Sequence, residues 1–187
     1  MKILLVNNNT QHLDYLSKAL AGHQIEVVMY RPGAIFNTFD KDLIVLSGGG
    51  GEGLEIHDKH NNGQLWYEEE MNFVLTCQKP ILGICMGLEV IARTYGSKVS
   101  EMKELVMGFR KVSPTKTGQA KFNRDKLRQY EAHQWHVEEI DTRQFDILAD
   151  SATGIEIIKH KTRPILATQF HPEKGGTLKV DSLLSYL

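Results

Sequence analysis

Apolar residues along the chain fall into short consecutive runs, separated by stretches with helical spacing. Residues 2–6, 25–29, 43–46 and 81–84 are short and apolar on successive positions, the pattern of strands covered on both faces. Between the first two, Leu13, Leu16, Ala19 and Leu20 follow the 3.6-residue period, predicting a helix that Thr10 caps and Gly22 ends. Residues 66–77 and 88–95 read as two further helices. Such alternation of β and α units implies an α/β fold, a mostly parallel sheet with helices on both faces. In the second half, 106–112, 155–158 and 165–170 read as strands joined by turns, and 177–187 as a closing helix. No repeat, low-complexity tract or Pro/Gly-rich linker interrupts the chain, so the expected organisation is one domain over 1–187.

Composition narrows the function classes. With 41% hydrophobic and 24% charged residues the chain belongs with folded globular proteins. Its 22 basic and 23 acidic residues leave a net charge of −1, which gives no general attraction to nucleic acid or to an anionic membrane. The apolar run at 2–6 ends in three asparagines and is too short for a signal peptide, and no run is long enough to span a bilayer. The expected location is therefore cytoplasmic. Two cysteines, Cys77 and Cys85, are too few for a disulfide framework and leave a thiol free for chemistry.

Gly83-Ile84-Cys85-Met86-Gly87 places one of those thiols between an apolar strand and a helix, with glycine at both second neighbours. This is the nucleophile-elbow pattern, in which a sharp strand-to-helix turn exposes the nucleophile and a flanking Cβ would clash with backbone. A helix N-terminus also favours the thiolate through its free N–H groups and dipole. A nucleophilic Cys needs a base and a group to orient it. Gln169-Phe170-His171-Pro172-Glu173, at the end of an apolar strand, supplies both, at the carboxyl edge where open α/β sheets place their sites.

Ser47-Gly48-Gly49-Gly50-Gly51 follows the strand at 43–46. Consecutive glycines are costly in chain entropy and signal a close backbone approach or positive φ. Gly48, Gly50 and Gly53 satisfy G-x-G-x-x-G, but residues 54–63 lack the helical periodicity a dinucleotide site requires. The preferred reading is an oxyanion hole, with a loop N–H and that of Met86 facing the tetrahedral intermediate.

Ser-Gly-Gly at 47–49, Gly-Ile-Cys-Met-Gly at 83–87 and Gln-Phe-His-Pro-Glu at 169–173, in this order, resemble the class I (triad) glutamine amidotransferases, and the resemblance runs over essentially the whole chain. It implies a flavodoxin-like α/β fold, with a mixed, mostly parallel sheet and helices on both faces, that hydrolyses glutamine to glutamate and ammonia without a metal or organic cofactor. By the resemblance Cys85 is the nucleophile, His171 the general base and acid, Glu173 its orienting carboxylate, and Gly49 with Met86 the oxyanion donors. Gly50, Glu89 and His133 are the implied substrate-binding positions, His133 and Val137 matching a His-x-x-x-Val element. Residues 156–165 are most similar to the stand-alone amidotransferase subunits of archaeal-type GMP synthases. The chain carries no G-x-x-x-x-G-K-[ST] loop, so the implied partner is a separate ATP-dependent synthetase.

The sequence departs from the family pattern in places. Glu89 stands where the family usually has Gln, and Glu89 with Lys174 is similar to the γ-glutamyl hydrolases of the same superfamily. Residues 52–64 form a longer, more polar connection than expected, and Lys174-Gly175-Gly176 replaces the His-Thr-rich continuation of GMP synthases. A γ-glutamyl hydrolase with the same triad and a non-catalytic regulatory subunit therefore stand as alternatives. The pairs His57/His60 and His133/His136 lack a third ligand at recognisable spacing, so no metal site is expected. Cys77 reads as packing, Glu68-Glu69-Glu70 as a solvated helix face, and Trp135 as a gap filler or an interface residue.

Overall fold

A computed structural model describes residues 1–49 and 65–187. The glycine-rich connection from Gly50 to Gln64, with His57 and His60, lies outside the described residues. The elements run β1 (Lys2–Asn7), α1 (Leu13–Ala19), β2 (Gln24–Met29), β3 (Leu43–Leu46), α2 (Glu68–Thr76), β4 (Ile81–Ile84) and α3 (Met86–Thr94). They continue β5 (Val99–Pro114), α4 (Lys116–Phe122), β6 (Leu127–Val137), β7 (Phe145–Ser151), β8 (Gly154–His160), β9 (Ile165–Thr168) and α5 (Val180–Leu184). The nine strands among the described residues join one sheet in the order β2-β1-β3-β4-β9-β8-β7-β5-β6.

The expected mostly parallel, flavodoxin-like sheet is not what forms. Pairings from β2 through β9 are parallel, but those from β9 through β8, β7 and β5 to β6 are all antiparallel. The result is a mixed α/β sheet in which antiparallel residue pairs are the majority. Connection length accounts for β7–β8 and β8–β9, whose short turns allow only antiparallel neighbours, while β6 returns antiparallel to β5 across the helical connection through α4. Gly154, at φ 130°, closes the turn between β7 and β8.

The parallel part sets the site. β3, β4 and β9 are buried along their whole length. Leu16, Leu20 and Leu183 pack with Ile3, Leu5, Val45 and Leu82 on one face; Val74, Leu88 and Ile91 pack with Leu4, Val6, Ile44 and Ile81 on the other. Burying such aliphatic side chains contributes roughly 1.5–3 kcal/mol each. Thr10 does not cap α1, whose N-cap position is His12; the Thr10 hydroxyl instead accepts from the His12 N–H at 3.1 Å in the preceding turn. Cys77 is buried in the second of these faces, as its packing role requires, and Trp135 packs against the same core. Among the described residues no helix is long and apolar enough to cross a membrane.

Candidate active site

β4 delivers Cys85 to the carboxyl edge of the sheet and α3 begins on the next residue. Cys85 adopts φ 52°, ψ −107°, a strained conformation that persists only where the surroundings over-determine it. Its N–H donates to the Thr168 carbonyl at 2.7 Å, and its own carbonyl accepts from Leu88 N–H at 2.8 Å. The two glycines are there for contact. A Cβ on Gly83 would lie 2.8 Å from the Gly87 carbonyl atoms, and one on Gly87 would overlap the Leu46 carbonyl oxygen.

His171 follows β9, and Pro172–Lys174 forms a short 3₁₀ turn that brings Glu173 back beneath the ring. Glu173 Oε1 is 2.7 Å from His171 Nδ1, with both side chains almost fully buried. An ionised carboxylate only accepts, so Nδ1 carries the proton and Nε2 is left as the basic nitrogen. The His171 N–H donates to the Tyr130 carbonyl at 2.8 Å. His171 Nε2 lies 3.3 Å and Cys85 Sγ 3.9 Å from one acceptor, the Ala132 carbonyl oxygen. When the ring carries both protons, Glu173 and Ala132 accept one each. β6 therefore frames the site through its backbone, and His12 packs edge-on against His171 with ring centroids 4.8 Å apart.

The thiolate expected from the helix N-terminus is not the resting state. Burial pushes the Cys85 thiol well above its ordinary pKa, and the Glu89, Glu173 and Glu156 carboxylates push it the same way; the Met86 amide opposes them and is outweighed. Cys85 thus rests as a thiol, and its proton must pass to a base during attack.

Gly48 and Gly49, which follow β3, pack directly on this pair. A Cβ on Gly48 would sit 2.9 Å from His171 Cε1 and 3.5 Å from Cys85 Cβ, and one on Gly49 would run into Met86. Behind the loop, Asn8 N–H donates to Ser47 Oγ at 2.9 Å and Asn8 Nδ2 to the Ser47 carbonyl at 3.3 Å. Asn8 Nδ2 also donates to Glu70 Oε1 at 3.1 Å. Glu70 is therefore no solvated residue: it is fully buried, and burial lifts its carboxyl to about 7 against the partial compensation from Asn8. Its protonated form is favoured in the fold, so its stabilising effect is complete below pH ~4.5, falls as pH rises to about 7, and is absent above. The span corresponds to roughly 3 kcal/mol. Glu70→Gln keeps the acceptor for Asn8 and is expected to remove that part of the pH slope in urea unfolding; an unchanged slope between pH 5 and 8 would contradict it.

Glu89 comes to the site: its Oε1 accepts from Gln169 Nε2 at 2.8 Å, and the same nitrogen lies 3.9 Å from Cys85 Sγ. His133 is placed differently. Its ring is buried on the inner face of β6, with Nδ1 2.9 Å from the Trp135 carbonyl and Nε2 3.4 Å from Glu131 Oε2, so what this segment brings to the thiol is the neighbouring Ala132 carbonyl. Gly50 lies outside the described residues. Sequence reasoning misses Asn8, Glu70, Ala132 and Gln169; only Gln169 sits within a motif that could announce it.

The profile of the family described as "Glutamine amidotransferase class-I" matches residues 4–185. A glutamine-hydrolysing GMP synthase subunit of Methanocaldococcus jannaschii is 36% identical over 110 residues, 57% of each chain; the alignment thus spans little more than half of that relative. Anthranilate synthase component 2 of Thermococcus kodakarensis is 31% identical over 181 residues, 91% of this chain and 86% of that one. The crystal structure of a protein from Thermoplasma acidophilum, described as a GMP synthase subunit, superposes with a TM-score of 0.73 at 27% identity, covering 92% of this chain and 84% of the other. A match of this extent, on a fold that carries the elbow, the glycine loop and the His-Pro-Glu turn to one edge, means that the chain belongs to the class-I glutamine amidotransferase family.

Proposed function

We propose that this chain is the glutamine-hydrolysing subunit of a two-part amidotransferase, releasing ammonia to a separate ATP-dependent synthetase. GMP synthase is the favoured acceptor enzyme, on the similarity to glutamine-hydrolysing subunits of that enzyme. The observation that carries the reading is the meeting of Cys85 with the Glu173-oriented His171 at the Ala132 carbonyl, beneath the Gly48–Gly49 loop. Both cysteines are free, which suits a reducing cytoplasm.

In the proposed reaction, His171 Nε2 takes the Cys85 proton as sulfur attacks the side-chain amide carbon of glutamine. The oxyanion of the tetrahedral intermediate meets the N–H groups of Gly49 and Met86. His171 returns the proton to the departing nitrogen, which leaves as ammonia, and a γ-glutamyl thioester remains. Water, deprotonated by His171, then cleaves the thioester to glutamate and restores the thiol. Glu89, with Gly50, meets the amino-acid end of the substrate, where a carboxylate suits its ammonium; His133 holds the strand behind it.

An electrophilic glutamine analogue, such as its diazo- or chloromethyl ketone, is expected to add one adduct to the peptide bearing Cys85, and none in Cys85→Ala. Ammonia release from glutamine that survives Cys85→Ala would overturn the reading. Co-purification of a synthetase with the intact chain identifies the acceptor.

A further inference from the structure

A second buried cluster lies outside the Cys85–His171–Glu173 line. β6 turns Glu131 and His133 inward, where they meet Glu156 of β8; all three are buried, the two glutamates completely. One ligand atom from each lies within 4.8 Å of the others.

The hydrogen bonds around the cluster satisfy some of its atoms and leave others without a partner. His133 Nδ1 is 2.9 Å from the Trp135 carbonyl, which can only accept, so Nδ1 carries a proton. Nε2 lies 3.4 Å from Glu131 Oε2, an ion pair when the ring carries a second proton; that proton is the one a cation at this nitrogen would displace. Glu156 Oε1 accepts from Ser151 Oγ at 2.7 Å and from Thr153 Oγ1 at 3.2 Å. Two buried oxygens are left over: Glu131 Oε1 and Glu156 Oε2 have no hydrogen-bond partner among the described residues. Unpaired carboxylate oxygens in a dry interior are costly, and here both carboxylates stand within 4.8 Å of a His133 ring nitrogen.

A metal site has this anatomy. Ligating histidines donate their second nitrogen to a backbone carbonyl, and ligating carboxylates are braced by hydroxyls, which fixes each ligand with its donor atom facing inward. We propose that Glu131, His133 and Glu156 form a buried site for a first-row divalent cation such as Zn²⁺. One imidazole with two carboxylates and no thiolate suits zinc, manganese or ferrous iron better than calcium or magnesium. Tetrahedral ligands at zinc distances stand about 3.3 Å apart, so the cluster closes by a small inward movement and leaves the fourth position for water. The cation would tie β6 to β8, the strands whose backbone meets His171, Cys85 and Gln169.

The full-length protein, stripped with chelator, is titrated with Zn²⁺, desalted and assayed for retained metal, with thermal unfolding alongside. One zinc per chain is expected, retained equally by Cys85→Ala, with the unfolding midpoint raised by roughly 5–10 °C at a hundredfold excess over Kd and no effect of Mg²⁺. Glu131→Gln and His133→Asn should each weaken zinc retention at least tenfold. Should either variant fail to fold, Co²⁺ on the wild-type chain decides: visible d–d absorption without a thiolate charge-transfer band supports the site. The proposal is overturned by negligible retained zinc, by retention that survives Glu131→Gln but not Cys85→Ala, or by a cobalt spectrum showing thiolate ligation.

Discussion

Replacing Glu173 by Gln is expected to lower kcat for glutamine hydrolysis by about 10³–10⁴-fold, with little change in KM. The side chain is nearly isosteric and buried, so the packing around the 3₁₀ turn survives. What changes is the proton at His171. With the carboxylate 2.7 Å away, Nδ1 holds the hydrogen and Nε2 is the base. If the amide turns its NH₂ toward the ring, Nδ1 becomes the acceptor and the hydrogen moves to Nε2, which then cannot take the Cys85 proton. If the amide turns its oxygen, the tautomer is kept but the negative charge that balances the imidazolium is lost. The cost is steeper here than for a pre-ionised cysteine, because burial and three carboxylates hold Cys85 as a thiol and its proton must move during the chemical step. Steady-state kinetics in the presence of the synthetase separate kcat from KM. A variant within tenfold of the wild type would reduce Glu173 to a structural residue.

What is legible in the sequence is what is written locally. The elbow at 83–87 and the His-Pro-Glu turn at 171–173 each place their chemistry within a few residues, and the short apolar runs at β1, β3, β4 and β9 mark strands buried on both faces. The second half misleads because its pattern is inverted. β6 buries Gln129, Glu131 and His133, so its inward face is polar, while β5 leaves Leu105, Met107 and Phe109 exposed. A rule that takes apolar alternation as the buried face cannot find such a pair, and the expected strand at 106–112 covers less than half of β5. Gln129 is satisfied by both backbone groups of Leu178, a partner 49 residues away that no local window contains. Glu70 escapes for a related reason: three adjacent glutamates look alike, yet the helix turns Glu68 to solvent, sends Glu69 to the Gly33 N–H, and buries Glu70 behind Asn8. The parallel-sheet expectation extends the βα rhythm of the first half into a region whose strands return antiparallel, by short turns at β7–β8 and β8–β9 and across α4 between β5 and β6.

The glycines of the elbow make the strongest stability prediction. Gly87→Ala is expected to destabilise the fold by about 2–3 kcal/mol and to lower kcat by at least ~100-fold. Helix propensity alone favours alanine by about 1 kcal/mol, so the sign rests on packing. A Cβ at this position overlaps the Leu46 carbonyl oxygen and stands 2.9 Å from Leu46 Cβ and 3.1 Å from its carbonyl carbon. These atoms cannot give way: Leu46 is fully buried in β3, paired on one side with Val6 and on the other with Gly83. The first turn of α3 must move instead, and Cys85 is its N-cap residue. Displacement there stretches the 2.7 Å bond from Cys85 N–H to Thr168 and moves the sulfur relative to His171 and the Gly48–Gly49 loop. Gly22→Ala is the matched control, since a Cβ there meets nothing within 4 Å, and it should leave urea stability and activity close to wild type. If Gly87→Ala matches that control, α3 is free to slide on β3, and the conformation of Cys85 must be held by its own backbone hydrogen bonds and not by the seat of α3 on β3.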